Sequence, residues 1–333
     1  QNQMDDIRSK IEQSLVFEAD VVCSTLLSSA KRNMVDFKFD YVFIDEASQA
    51  DQTVSIIPLI HHPSKLVLLG DHKQLDANFP NKLNEKYKDT LKSLYRKLLK
   101  NQIHHEMLNV QFRMNPLIAQ FPNKEFYKGR IVNAPGMEEK THVKLTNIPT
   151  PIAFIDVSKG KERKVFGTTY RNMKEADAVE KIINNFKKNN ISPRDVGVIT
   201  PYHGQVHILR KKINSLDYNG LRISSVDTFQ GSERDFIVLS LVRTNSMGKF
   251  GFLPDKHRIN VSLTRARKGI IIVGNFNAIL NSNKNNQNPE NQFLVDMCKF
   301  YQQNSAVYDV DDPRIERIKI RVTKNTNTSK LFI

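Results

Sequence analysis

Short apolar runs rich in valine and isoleucine recur along the chain, with polar, helix-like stretches between them. Such runs are typical of parallel strands that are buried on both faces of a sheet and connected by helices. A first series covers 19–25, 40–47, 65–71 and 106–112, and a second covers 151–157, 195–202, 222–229, 235–242 and 268–275. A polar stretch with proline and glycine separates the two series near 129–150. The pattern therefore predicts an α/β protein with two lobes in tandem.

The domain boundaries follow from these series. We expect a partial first lobe over 1–112, a second lobe over 113–285, and a C-terminal helix and tail over 286–333. Helical spacing of apolar residues predicts helices over 172–190 and 203–216, the first capped by Asn172, and a third over QFLVDMCKFYQQN in the tail. The final residues, 323–333, are expected to be poorly ordered.

Composition excludes several classes of protein. No run of 18 or more apolar residues occurs, which excludes a membrane-spanning protein. The two cysteines, Cys23 and Cys298, have no metal-ligand or disulfide spacing, so a reducing compartment is expected, either nucleus or cytoplasm. The net charge of +15 favours a partner with a phosphate backbone, although a lysine-rich solvated surface is the alternative. The chain starts with Gln1, and we expect it to be part of a longer protein.

The string VFIDEAS places two adjacent carboxylates directly after an apolar strand. Ligands of open α/β sheets bind at this carboxyl edge, and phosphoryl transfer needs a Mg²⁺ ligand and a group that positions or deprotonates the attacking water. Asp45 is the candidate Mg²⁺ ligand and Glu46 the candidate general base. The alternative is a strand that simply ends in a solvated acidic turn.

The string LLGDHKQL is a second apolar strand followed by a polar amide. A glutamine at this place can hydrogen-bond a γ-phosphate or its attacking water without adding charge, so Gln74 is a candidate site residue. An ordinary surface turn is the alternative.

Arginines near the ends of predicted elements form a third group. A planar guanidinium supplied by a second lobe can stabilise charge on a transferred phosphoryl group, and Arg113 and Arg265 are the candidates. For Arg258 and Arg267 taken singly, an exposed basic helix face is the favoured interpretation.

Taken in order, these strings resemble the motif series of superfamily 1 helicases of the senataxin and nonsense-mediated-decay helicase group, over residues from about 19 to about 276. The series is VVCST, FIDEAS, LGDHKQL, QFRMNPLI, ITPYHGQ, SVDTFQGSERDFIVLS and RINVSLTRARKGIIIVGN. FEADVVCSTL, SLYRKLL and FPNKEFYKGRI add a softer resemblance to senataxin-like members. The resemblance implies two tandem RecA-like lobes with mostly parallel sheets, the first lobe incomplete.

The resemblance also implies roles for individual residues. Asp45 and Glu46 match the Mg²⁺ ligand and the catalytic base, Gln74 the amide that senses the γ-phosphate, and Arg113 and Arg265 the arginines that clamp it. The ATP-binding set further includes Phe112, which stacks on adenine where the family usually has tyrosine, and Gly231 and Glu233 near ribose and phosphates. Backbone contacts to a single strand of RNA or DNA fall to Thr25, Pro201, Tyr202 and Thr228, and contacts of this kind position a strand without reading its sequence.

One family element is absent from the sequence. No GxxxxGK(S/T) loop, whose backbone amides and lysine cradle phosphates, occurs in the chain. Chain order in the family places that loop ahead of residue 1, which is the interpretation we favour over decay of the motif. A smaller departure is Asp76-Ala77, where the family usually has prolines after Gln74.

These observations predict the C-terminal motor portion of an ATP-dependent helicase or translocase, using ATP and Mg²⁺ in the cleft between the lobes. A monomer is expected, with single-stranded RNA or DNA and proteins of an RNA-processing or decay complex as partners. The main alternative is a nucleic-acid- or partner-binding module without turnover. The third possibility is a clamp or remodelling ATPase that has only the strand with the acid pair in common with helicases.

Overall fold

The computed structural model describes residues 2–77, 92–142, 144–145, 151–213, 218–245, 247–284, 288–316 and 320–321. Contacts within the chain divide it into two compact units, Gln1–Met107 and Leu108–Ile333. The domain limits predicted at 112 and 285 stay predictions. Residues 323–333, which were predicted to be poorly ordered, lie outside the described residues.

The first unit contains a small parallel sheet. Its elements are α1 (Asn2–Glu18), β1 (Tyr41–Ile44), α2 (Gln52–Ser55), β2 (Lys65–Leu68) and α3 (Leu94–Lys100), with 3-10 turns at Leu27–Ala30 and Ile57–His61. β1 and β2 pair in parallel with Ile44 opposite Leu68. Both strands match predicted strands, and both carry candidate residues directly after them.

The predicted strand over 19–25 is wrong, because this segment forms no strand in the structure. An apolar run becomes a strand only when a neighbour satisfies its backbone groups. Val21 is 79% exposed, so the run is not buried on both faces as predicted. The predicted strand over 106–112 shortens to Val110–Gln111.

The second unit is built on a six-stranded parallel sheet of order β10-β9-β11-β12-β6-β13. These strands are β6 (Ile152–Asp156), β9 (Val196–Thr200), β10 (Arg222–Ser225), β11 (Arg234–Ser240), β12 (Ala266–Gly274) and β13 (Val307–Asp309). All but β13 match strands predicted from apolar runs. This is the predicted α/β architecture, with a six-stranded parallel sheet in the second unit.

Helices cover both faces of this sheet. The helices of the second unit within the described residues are α4 (Pro116–Tyr127), α5 (Met137–Lys140), α6 (Met173–Lys188), α7 (His203–Ile213), α8 (Val226–Phe229), α9 (Lys256–Leu263), α10 (Phe276–Leu280), α11 (Gln292–Gln303) and α12 (Pro313–Glu316). Alternate residues of β6 face opposite layers, since Ala153 joins the core with α6 and α7 whereas the Phe154 ring lies 6.1 Å from Tyr301 of α11. The three predicted helices are confirmed.

Short strands complete the second unit. Two pairs are β3 (Val110–Gln111) with β4 (Val132–Asn133), and β5 (Lys144–Leu145) with β14 (Ile320–Arg321). An antiparallel hairpin joins β7 (Glu162–Phe166) to β8 (Thr169–Asn172). None of the helices within the described residues has both the length and the apolar character needed to cross a membrane.

Two local features adjust the prediction. The apolar run 222–229 stops being a strand at Ser225, whose hydroxyl accepts a hydrogen bond from the Thr228 amide at 3.4 Å and caps a helical turn. Asn172 caps α6 as predicted, with its side chain accepting from the Glu175 amide at 3.3 Å.

Candidate functional site

The acid pair lies at the carboxyl edge of the first sheet. The ladder continues one residue past β1 and β2, because Leu69 N donates to Ile44 O at 2.9 Å and Ala47 N donates to Leu69 O at 2.7 Å. Asp45 and Glu46 therefore leave the sheet at the same edge as Gly70 and the residues that follow it. Parallel pairing thus brings two of the predicted site segments together.

Glu46 has an unusual backbone conformation. Its φ of 51° lies in the left-handed region, which costs free energy for a residue other than glycine. The Glu46 amide donates to Asp45 Oδ1 at 2.8 Å, and Gln49 Nε2 donates to Glu46 Oε2 at 2.8 Å. The bond from Gln49 orients the Glu46 carboxylate, while Asp45 stays exposed to solvent.

Gly70 permits a close approach between the two strand ends. A Cβ at this position would lie 3.0 Å from the backbone nitrogen of Ser48 and 3.4 Å from that of Ala47. Only glycine fits here without a shift of one of the two backbones. The glycine of LLGD thus sets the distance between the acid pair and the turn that carries Gln74.

The turn that carries Gln74 is organised by an aspartate. Asp71 accepts hydrogen bonds from Lys73 N at 2.9 Å and from Gln74 Nε2 at 2.8 Å. The amide of Gln74 is therefore held toward its own turn in this structure. Burial lowers the pKa of His72 in the same turn, and the charge of Lys73 adds to that effect.

Two side chains of α3 fix this turn, and neither was predicted from the sequence as a site residue. Tyr95 Oη donates to Gly70 O at 2.9 Å, and Arg96 donates to His72 O at 2.8 Å and forms an ion pair with Asp76. Burial, with a further contribution from the Asp71 charge, raises the pKa of Tyr95. The string SLYRKLL was the available signal, since it follows the Gln74 motif.

Thr25 and Asp45 line one cavity of about 830 Å³ in the first unit. Thr25 is exposed, and its hydroxyl donates to Ser28 Oγ at 2.9 Å at the start of a 3-10 turn. The cavity wall also includes Tyr41 and Phe43, which are 56% and 63% exposed. One candidate strand-contacting residue and the candidate Mg²⁺ ligand thus line the same cavity.

In the second unit, Arg113 and Glu233 form an ion pair. Arg267 joins it, with Nη1 lying 3.4 Å from Glu233 Oε1 and Nε 2.8 Å from Asp235 Oδ1. Lys268 Nζ lies 2.8 Å from the other oxygen of Asp235. The interpretation of Arg267 as part of a basic helix face is wrong, because Arg267 belongs to β12 and is paired with two carboxylates.

Arg265 is placed differently from Arg113. It is 2% exposed, with Nε donating to Val261 O at 3.0 Å and Nη2 donating to Thr264 Oγ1 at 3.0 Å. Phe112, in contrast, is 74% exposed. Gly231 has a φ of 72° and nothing within 4 Å of the position of a Cβ. The candidate nucleotide residues of this unit therefore lie around the amino ends of β11 and β12, with Arg265 turned into the protein.

The strand-contacting candidates lie at the opposite edge of the second sheet. Pro201 and Tyr202 directly follow β9, and Thr228 follows its parallel neighbour β10, with Thr200 opposite Ser225. Thr228 is exposed, and its hydroxyl lies 3.0 Å from Ser225 Oγ. Tyr202 is 2% exposed and donates to Phe250 O at 2.9 Å, and its burial raises its pKa.

Comparisons with known proteins give matches along most of the chain. A family model described as an AAA domain matches residues 90–277, and a second AAA domain model matches residues 1–79. The regulator of nonsense transcripts 1 homolog of Neurospora crassa is 38% identical over 79% of this chain and 25% of its own length.

Two further relatives carry helicase names. The ATP-dependent helicase NAM7 of Saccharomyces cerevisiae is 38% identical over 80% of this chain and 28% of its own. Helicase sen1 of Schizosaccharomyces pombe is 36% identical over 83% of this chain and 17% of its own. The chain thus spans less than a third of the length of these curated relatives.

Proposed function

The chain belongs to the AAA domain family, and on that premise we propose that it is the C-terminal motor portion of an ATP-dependent helicase that moves on single-stranded RNA or DNA. One observation carries this proposal above the others. The acid pair Asp45–Glu46 and the Asp71–Gln74 turn leave one parallel sheet at the same edge, with Gly70 setting their approach. Phosphoryl transfer needs a carboxylate for the metal and a group that positions water at one place.

The residues at this edge fit ATP and Mg²⁺. Mg²⁺ is usually held by one or two carboxylates together with substrate phosphates, and the exposed Asp45 carboxylate supplies such a ligand. Bound Mg²⁺ would neutralise charge on the phosphate oxygens. Glu46, oriented by Gln49, would accept a proton from the attacking water. Gln74 would exchange its bond to Asp71 for the γ-phosphate or the water.

The second unit would contribute cationic and stacking groups. Arg113 would leave Glu233 for a phosphate oxygen, and Glu233 would keep Arg267 as a partner. Arg265 would need to exchange its bonds to Val261 and Thr264 before reaching a phosphate. Phe112 offers an exposed ring for adenine, and Gly231 offers backbone that a ligand can approach closely.

Strand binding is proposed to use Thr25 of the first unit and Pro201, Tyr202 and Thr228 of the second. The exposed Thr25 and Thr228 hydroxyls can donate to phosphates. The buried Tyr202 would act by holding the segment that follows β9 through its bond to Phe250. We further propose a monomer in nucleus or cytoplasm, with partners from an RNA-processing or decay complex.

A second candidate function is strand binding without ATP turnover. The absence of a GxxxxGK(S/T) loop from the sequence favours it, because that loop holds the β- and γ-phosphates in ATPases of this type. The net charge of +15 supports strand binding under either candidate.

Fluorescence anisotropy with labelled single-stranded RNA and DNA, together with steady-state ATP hydrolysis, separates the candidates. Binding with strand-stimulated hydrolysis by the 333-residue chain would support a motor. Binding with no hydrolysis would favour the second candidate for the chain as it stands. Failure to bind either strand at low salt would refute both.

A further inference from the structure

The β7–β8 hairpin carries basic and aromatic side chains that none of the proposed roles uses. Its turn is Gly167-Thr168, with Gly167 at a φ of 52°. Phe166, directly before the turn, is 84% exposed. Lys161, Arg163 and Lys164 are also exposed. Exposed aromatic and cationic side chains on one element are the composition of surfaces that bind single-stranded nucleic acid.

A buried ion pair holds the base of this hairpin. Glu162 accepts from Arg243 Nε at 3.0 Å and from the Thr244 amide at 2.6 Å, and the two side chains of the ion pair are 17% and 7% exposed. The Arg243 guanidinium also lies over the Tyr170 ring, 4.1 Å from its centre. The single acidic residue of the hairpin is thus neutralised, and its remaining charges are positive.

The hairpin packs beside the predicted strand-contacting segment. A Cβ on Gly204 would lie 2.8 Å from Tyr170 O and 3.2 Å from a methyl group of Val165. The Gly204 amide donates to Thr169 Oγ1 at 2.8 Å, and the Tyr170 and Tyr202 rings are in edge contact at 5.7 Å. The hairpin therefore packs directly against the segment 201–204 that follows β9.

Two arginines face each other across the hairpin. Arg163 is directly opposite Arg171 in the antiparallel ladder, which places their side chains on one face of the hairpin. Like charges in that position repel, and the Arg171 Nε is buried without a hydrogen-bond partner. A bound anion would relieve the repulsion between the two guanidinium groups.

We propose that the 162–172 hairpin is a second contact element for single-stranded nucleic acid: Phe166 stacks on a base, and the Arg163–Arg171 pair binds a phosphate of the same strand. This inference rests on the proposed function, since it adds a contact to the strand bound there. The contact is independent of sequence, because every base offers a face for stacking and every nucleotide a phosphate.

The absence of tryptophan from the chain allows a direct test of stacking. Phe166→Trp introduces one fluorophore, and we expect single-stranded oligonucleotides to quench its emission while affinity stays close to that of the unaltered chain. Phe17→Trp is the matched control, because Phe17 is 80% exposed on α1, and its emission should not change. Phe166→Ala should weaken binding about fivefold or more.

The phosphate contact is tested by the salt dependence of binding. Arg163→Gln should lower the slope of log affinity against log salt by about 0.7, the contribution of one phosphate on a single strand. Arg130→Gln, at another exposed arginine of the same unit, should leave the slope unchanged. Arg163→Gln also removes a contact between like charges, so the thermal unfolding midpoint of the variant should not fall. An unchanged midpoint would show that weaker binding is not caused by unfolding.

The outcomes distinguish the two proposals. If the unaltered chain binds single strands but Phe166→Ala and Arg163→Gln bind equally well, the hairpin assignment is overturned and the proposed function stands. If the unaltered chain binds no strand, both are overturned. Parallel titrations with RNA and DNA of one sequence show which sugar the strand carries.

Discussion

Replacing Glu175 by glutamine should change the pH dependence of the stability of the second unit. Glu175 lies in the first turn of α6 and is fully buried, and its Oε2 accepts from Ser240 Oγ and from Val242 N, both at 2.8 Å. Asn172 Nδ2 donates to the other oxygen at 3.2 Å. Burial outweighs these donors and, helped slightly by the nearby charge of Glu162, raises the pKa of Glu175 to about 8 from the ordinary value of 4.5.

The sign follows from proton binding. The unfolded carboxyl loses its proton above pH 4.5, whereas the folded one keeps it up to about pH 8, so the stabilisation is present at low pH and is lost as pH rises. The slope is 1.36 kcal/mol for each pH unit and flattens near each pKa, so about 3.5 kcal/mol of unfolding free energy disappears between about pH 5 and pH 8. The glutamine of the Glu175→Gln variant cannot ionise, so the variant should not lose this unfolding free energy as pH rises.

Hydrogen exchange at several pH values, followed in peptides from β9 and β11, measures the opening free energy of this sheet. The informative quantity is the difference in opening free energy between the variant and the unaltered chain at each pH. That difference should shift in favour of the variant by about 3.5 kcal/mol from about pH 5 to pH 8, on top of a constant offset from altered hydrogen bonding. A difference that does not vary with pH would show that Glu175 is ionised in the folded protein throughout.

Three further substitutions test the contacts that position the proposed sites. Gly70→Ala should cost about 1–3 kcal/mol in urea unfolding, because its Cβ would press on the Ser48 backbone, and an unchanged midpoint would contradict that geometry. Tyr95→Phe removes the bond to Gly70 O and should cost about 1 kcal/mol. Arg243→Met leaves Glu162 as an unpaired carboxylate and should cost about 3–5 kcal/mol by thermal unfolding, whereas a loss below about 1 kcal/mol would argue against a buried ion pair.

Strand positions in the second unit were predictable because burial on both faces leaves a plain sequence signal. β12 and β11 are continuous runs such as Gly-Ile-Ile-Ile-Val, and only a core covered by helices on both sides accepts them. The prediction of a strand from an apolar run failed at 19–25. The run VVCS there is apolar, but no strand within the described residues pairs with it. The composition of a short segment indicates whether the segment tends to be buried. Whether it forms a strand also depends on a partner strand that is distant in sequence.

The candidate site was predictable only in part. The carboxyl-edge rule located Asp45, Glu46 and Gln74 because it depends on strand order alone. It gave no information on side-chain direction, so the burial of Arg265 and the ion pair between Arg113 and Glu233 were not foreseen. Contacts between residues distant in sequence, such as Glu162 with Arg243, leave no periodic signal, and the hairpin that they hold was missed for that reason.

ATP turnover in the full-length protein, measured with and without single-stranded RNA, tests the motor assignment most directly through Glu46→Gln. The substitution keeps the size of the side chain and removes the proposed base, so strand-stimulated turnover should fall about 100-fold or more while strand binding is retained. Glu139→Gln, at an exposed carboxylate of α5, is the matched control and should turn over ATP normally. Unchanged turnover in Glu46→Gln would contradict the assignment of Glu46 as the catalytic base and, with it, the mechanism proposed for this chain.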